Sequence, residues 1–212
     1  MTHGRFITLE GIEGSGKSSL LQTLAAWLRT AHGLGVVTTR EPGGTPLAEQ
    51  LRTIVLAREV EPIPANAELL IMFAARALHV ANVIAPALQR GDWVLCDRFT
   101  DASLAYQGYG RGVDLAEIRH LADIAHPGLA PDLTLLLDLP SRIGLGRAQR
   151  RGAGDRFEDE ALAFFDLVRD AYLGLATAEP ARIRVLDASQ PETDVLKQAQ
   201  EALSRLLRAG AP

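Results

Sequence analysis

The chain has 212 residues, 47% hydrophobic and 23% charged, with a formal net charge of −4. That length suits one domain with an ordinary buried core, and the negative balance argues against a protein built to coat nucleic acid or an anionic membrane. Cys96 is the only cysteine, so no internal disulfide can form and a reducing, cytoplasmic setting is expected. The stretch Met1–Arg5 offers too little apolar length for a signal peptide, and no apolar run approaches the roughly 20 residues of a bilayer span.

In chain order, a strand is expected at Phe6–Leu9 and a helix at Lys17–Thr30. A second strand at Gly35–Thr39 leads to helices at Pro46–Leu56 and Ala67–Leu88. Strands at Trp93–Cys96 and Leu133–Leu137 flank a helix at Leu115–Ala125. Helices at Ser141–Arg150 and Asp159–Ala178, a strand at Ile183–Leu186 and a helix at Pro191–Arg208 complete the chain. The strand candidates are near-continuous apolar runs, as parallel strands covered on both faces require. Alternation with helices gives βαβ units, hence an α/β fold with a doubly wound parallel sheet. Ligands bind such sheets at the carboxyl ends of the strands. Glu10, Arg40, Asp97 and Asp138 stand at four of those ends. Residues 1–212 read as a single domain, with the Gly- and Arg-rich stretch at about 147–158 as an exposed, mobile lid.

Between the first strand and helix lies Gly11-Ile12-Glu13-Gly14-Ser15-Gly16-Lys17-Ser18, a Walker A phosphate loop in the context that confirms one. Its glycines let successive N–H groups turn inward as an anion nest, and the following helix points its positive end at the phosphates. Lys17 can reach the β- and γ-phosphates of ATP, and the Ser18 hydroxyl can ligate Mg²⁺. Lys17 and Lys197 are the only lysines among 22 basic residues, so a lysine at this position is informative. The loop binds a nucleoside triphosphate but does not name what receives the phosphoryl group.

Four clusters fall on loops that face it. Thr39-Arg40-Glu41-Pro42-Gly43-Gly44-Thr45 follows the second strand, and Asp97-Arg98-Phe99 ends the third. Asp97 and Arg98 could organise Mg²⁺ and grip a phosphate, or form a surface ion pair. Ser103, Tyr106 and Gln107 offer hydroxyls and an amide at helical spacing, suited to a base edge and a sugar or simply to solvent. Arg147, Arg150, Arg151 and Arg156 crowd the lid, where arginines can close on a phosphoryl group in flight. These features leave open a kinase for any of several (deoxy)nucleoside monophosphates, or a regulatory ATPase.

Taken together, the Thr39–Thr45, Asp97–Phe99 and Ala105-Tyr106-Gln107-Gly108 blocks resemble the thymidylate kinase family, a branch of the P-loop nucleoside monophosphate kinases. The likeness extends from Phe6 to Asp187–Pro191. The resemblance implies a P-loop NTPase fold with a five-stranded parallel sheet, the reaction ATP + dTMP → ADP + dTDP, and a homodimer. It places Lys17 on the transferring phosphate and Ser18 on magnesium, with Asp97 organising magnesium-bound water. Glu13 falls beside the dTMP sugar, Arg98 on the acceptor phosphate, and Arg40 and Arg76 on the acceptor side. Ser103 faces the thymine edge, with Tyr106 and Gln107 near deoxyribose and base. Absence of arginine between Gly11 and Gly16 resembles the bacterial-type branch, in which lid arginines (here Arg150, Arg151 and Arg156) supply positive charge. The family usually stacks a phenylalanine on thymine four residues before the helix arginine. Met72 holds that position here, with Phe73 one residue later.

Overall fold

The computed structural model describes residues 4–58, 61–150 and 155–209. Five parallel strands form its sheet, β1 (Phe6–Glu10), β2 (Val36–Arg40), β3 (Trp93–Asp97), β4 (Leu133–Asp138) and β5 (Ile183–Asp187), in the order β2-β3-β1-β4-β5. Each runs one residue beyond the end of its apolar stretch, because the ladder continues through the charged end. Arg40 pairs with Asp97, Glu10 with Leu136 and Asp138 with Asp187. The helices are α1 (Lys17–His32), α2 (Pro46–Leu56), α3 (Ala65–His79), α4 (Ala85–Gln89), α5 (Thr100–Ser103), α6 (Leu115–Ala125), α7 (Ser141–Gln149), α8 (Leu162–Ala178) and α9 (Glu192–Ala209). π-helical segments at Val80–Ile84 and Leu104–Gly110 continue α3 into α4 and prolong α5.

Side chains alternate across β1, as strand geometry dictates. Ile7 and Leu9 pack with Leu21, Leu24 and Leu28 of α1 and with Val195, Ala199 and Leu203 of α9. On the other face Phe6 packs against Val80, Ile84 and Phe99, and Thr8 meets the Thr134 hydroxyl at 2.8 Å. Farther along that face α8 lays Phe165, Val168 and Tyr172 over Leu136 and Ile183. Both faces of β1, β3 and β4 are therefore covered, which is why their sequences read as unbroken apolar runs. The strand order reverses at β1, and the phosphate loop leaves its carboxyl end at that crevice.

Two sequence expectations need correcting. Ala65–Gln89 forms a 25-residue helical run that is long and apolar enough to cross a bilayer by composition alone, contrary to the reading that no such run exists. Glu68, Arg76 and His79 within it are buried and paired inside the fold, the pattern of a core helix. The lid stretch is not wholly exposed either, because Phe157 is buried beside Tyr106 and Phe164. Arg151 lies outside the described residues.

Candidate functional site

The phosphate loop is shaped by positive backbone φ angles at Gly11, Gly14 and Gly16. Gly14 cannot be replaced, since a Cβ there would strike the Gly144 carbonyl of α7. Gly16 caps α1 in the left-handed conformation at φ 95°. Lys17, at the first position of α1, is buried, and its Nζ donates to the carbonyls of Gly11 at 2.9 Å and Ile12 at 2.8 Å. Burial, then the charge of Arg98, lowers its pKa to about 8. Next to it the Ser18 hydroxyl donates to Asp97 Oδ2 at 3.1 Å, joining the loop to the end of β3.

Arg98 follows with φ 72°, the one described non-glycine residue at positive φ. Strain of this kind costs about 1–3 kcal/mol and persists only when the surroundings over-determine it. Here they do. The Arg98 amide donates to the Leu9 carbonyl at 3.0 Å, and the next amide, of Phe99, donates to Glu10 Oε1 at 2.7 Å. The guanidinium lies 4.8 Å over the Tyr106 ring and donates to Glu13 Oε1 at 2.7 Å. Glu13 Oε2 accepts the Tyr106 hydroxyl at 2.7 Å, so a carboxylate of the phosphate loop fixes both an arginine and a tyrosine on the opposite wall.

Glu10 itself is fully buried and also accepts the Tyr172 hydroxyl at 2.7 Å. Burial first, then the charge of Asp101, raises its carboxyl from 4.5 to about 8. Between those values the folded protein holds a proton that the unfolded chain has lost. This contribution to stability is full at acid pH and disappears as pH rises from 4.5 through about 8. Glu10→Gln keeps an acceptor for the Phe99 amide without the titration. It should gain on the wild type by a few kcal/mol between about pH 5 and pH 9 in urea unfolding. Parallel pH curves for the two proteins would rule this out.

At the other end, Arg76 of α3 donates through Nε to Glu41 Oε2 at 2.6 Å, and through Nη2 to the Phe99 carbonyl at 3.0 Å and Ser103 Oγ at 3.1 Å. Its Nη1 is buried with no partner among the described residues. Burial alone would raise the Glu41 carboxyl, but Arg76 and His79 outweigh it and hold it below its ordinary value. His79 Nδ1 lies 3.0 Å from Glu41 Oε1 and its Nε2 2.6 Å from the Thr39 hydroxyl, so Glu41 is held from both sides.

Between these two ends lies a cavity of about 300 Å³, with Glu13, Gly14, Gly16, Lys17 and Ser18 on one wall. Arg76, Ser103, Tyr106 and Gln107 line another, and Asp97 and Arg98 stand between them. A strip for polyphosphate thus meets, across one volume, a buried set of donors and acceptors of the size of a base.

The model of the thymidylate kinase family matches residues 9–199. Thymidylate kinase of Pseudomonas savastanoi pv. phaseolicola is 56% identical over 204 residues, covering 96% of this chain and 97% of that protein. The chain belongs to the thymidylate kinase family. The family member from Teredinibacter turnerae is 52% identical, with 96% and 99% of the two chains covered. The solved thymidylate kinase of Ehrlichia chaffeensis superposes with a TM-score of 0.77 at 33% identity, over 95% of this chain and 99% of that one.

For this thymidylate kinase family member, the sequence-derived residues separate by location. Glu13, Lys17, Ser18, Arg40, Arg76, Asp97, Arg98, Ser103, Tyr106 and Gln107 all line the cavity, whereas Gly11, Ile12 and Ser15 shape the loop from behind. Of the pair on α3, Met72 faces the cavity, while Phe73 is buried among Leu69, Leu104 and Ile118. Phe73 instead supports Arg76, whose guanidinium lies 4.5 Å over its ring.

Arg150 and Arg156 fall elsewhere. Arg156 donates to Glu68 Oε2 at 2.7 Å and to the Val55 carbonyl at 3.1 Å. Arg150 Nε donates to the Gly146 carbonyl at 2.9 Å. Neither lines the cavity; Asp155, Phe157 and Glu158 do. Sequence reading also passed over Arg52, which stands on the cavity wall near Arg40 and donates to the Pro42 carbonyl at 2.8 Å. Its pKa is lowered by burial and by Arg40, the mark of a cation held beside another. The available signal was its place three residues after Glu49, the ion-pair partner of Arg40.

Proposed function

We propose that the chain transfers the γ-phosphoryl group of ATP to dTMP, releasing ADP and dTDP. The observation that carries this is one cavity walled by the phosphate loop at one end and by Arg76, Ser103 and Gln107 at the other. A 5′-phosphate oxygen of dTMP attacks the γ-phosphorus while the bond from that phosphorus to the β–γ bridging oxygen breaks. The protein's work is positioning and charge stabilisation. Lys17 spans the transferring phosphate, and Arg98, with Arg40 and Arg52 behind it, receives the acceptor phosphate. Tyr106, fixed by Glu13, packs where a ribose 2′-hydroxyl would sit, and Met72 supplies a thioether face to the base.

Ser18 Oγ and Asp97 Oδ2, 3.1 Å apart, fit Mg²⁺ shared with substrate phosphates and water rather than caged by protein. That ion, when bound, would neutralise charge on the β- and γ-oxygens. Residues 1–212 act as one kinase domain, with a lid region near 147–158. Leu47 and Ile54 of α2, Leu70 of α3 and Ile124 of α6 are exposed on helices that pack together. A second copy of this chain would cover them in a homodimer working in the cytoplasm, without nucleic acid or membrane.

A coupled assay of ADP formation over a panel of acceptors tests the reading. dTMP should support the fastest turnover, ahead of dCMP, ribothymidine monophosphate and free thymidine. A faster rate with any of the others would replace dTMP in this account.

A further inference from the structure

Glu68 sits on α3 at 0% exposure and does not line the cavity, yet it meets three residues around it. Its Oε1 accepts Gln107 Nε2 at 2.8 Å and its Oε2 accepts Arg156 Nη2 at 2.7 Å, with Arg111 Nε at 3.6 Å. We propose that Glu68 is a positioning residue that selects the acceptor base by fixing which end of the Gln107 amide faces the cavity. The proposal rests on dTMP being the acceptor.

A side-chain amide can present either a carbonyl or an N–H₂ to a ligand, and both orientations have nearly the same shape. A carboxylate held between arginines removes that choice, because it only accepts hydrogen bonds. Gln107 must turn Nε2 to Glu68, leaving Oε1 as the end available to the cavity that Gln107 lines. No described residue donates to that oxygen. Arg76, which lines the same cavity, carries a buried Nη1 that finds no partner among the described residues. One fixed donor and one fixed acceptor match the O4 carbonyl and N3–H of a thymine or uracil ring. Cytosine reverses both groups, offering an amino donor and a bare N3, and meets donor with donor and acceptor with acceptor. Buried polar groups left mispaired are how such a site rejects a near-isostere. Without Glu68 the Gln107 amide could rotate and satisfy the cytosine N3.

The test compares kcat/KM for dUMP and dCMP, which share a sugar and lack the 5-methyl group. In Glu68→Gln the new amide can donate or accept, so the wild-type preference for dUMP should fall by at least about tenfold. Gln107→Met should lower it similarly, and the double variant should lose no more than either alone. Should Glu68→Gln fold poorly, Glu68→Asp keeps the charge facing Arg111 and Arg156 but withdraws it from Gln107, and the same fall is expected. If Glu68 only anchored the lid through Arg156, both substrates would lose kcat/KM by one factor with their ratio unchanged, which would overturn the proposal. An unchanged ratio in Gln107→Met would do the same. Failure of the wild type to phosphorylate dTMP would instead refute the underlying reading.

Discussion

Lys17→Ala should lower turnover at saturating ATP by about 10²-fold or more, by analogy with removal of one preorganised donor from a transition state. Phosphoryl transfer leaves little covalent work to the protein, so a cation already in place where charge develops is a large share of catalysis. In this chain the place is set by α1, whose first residue is Lys17, and by a loop whose carbonyls at Gly11 and Ile12 hold Nζ at 2.9 and 2.8 Å. Arg98 brings a second cation near enough to help lower the Lys17 pKa to about 8. Its guanidinium is already engaged by Glu13 at 2.7 Å and stacked over Tyr106, so it does not take the place of Lys17. Steady-state kinetics with ATP titrated to saturation measures the effect, with the melting temperature as a control for folding. Near-native turnover in a folded variant would remove Lys17 from the mechanism.

Arg76→Met should have the largest effect on stability, about 3–5 kcal/mol, because breaking a buried ion pair strands the partner charge. Glu41 and Arg76 are each only 3% exposed, so neither can recover water. The substitution also strips a donor from the Phe99 carbonyl and from Ser103, and so disturbs the strand end that carries Arg98. Urea unfolding and dTMP affinity should therefore both suffer. Adding Glu41→Gln to the variant should restore part of the stability but not the affinity, since the charge is gone while the base contact remains missing. A loss below about 1 kcal/mol would mean that Glu41 is satisfied without Arg76.

The sequence made some of this legible and hid the rest for physical reasons. The phosphate loop could be read because anion binding needs consecutive residues, and local spacing encodes it. The strands could be read because both faces of β1, β3 and β4 are buried. The choice between Met72 and Phe73 could not be made, since they lie about 40° and 60° to either side of Arg76 around the helix. It is decided by the packing of Leu104 and Ile118, far along the chain, around Phe73. The position of Arg156 in this structure was hidden for the same reason. Nothing local says that Arg156 meets a carboxylate on α3, 88 positions away. Arg52 was overlooked because the helix carrying it reads as an ordinary amphipathic connection, and only its tertiary position beside Arg40 brings it to the cavity.

The most direct measurement follows the γ-phosphoryl group itself. ATP labelled at that position is mixed with purified protein, Mg²⁺ and dTMP, and the products are separated. The account predicts one labelled dTDP for each ADP formed, and almost no ADP when dTMP is left out. Label released as inorganic phosphate at the same rate with and without dTMP would contradict it and identify a hydrolase.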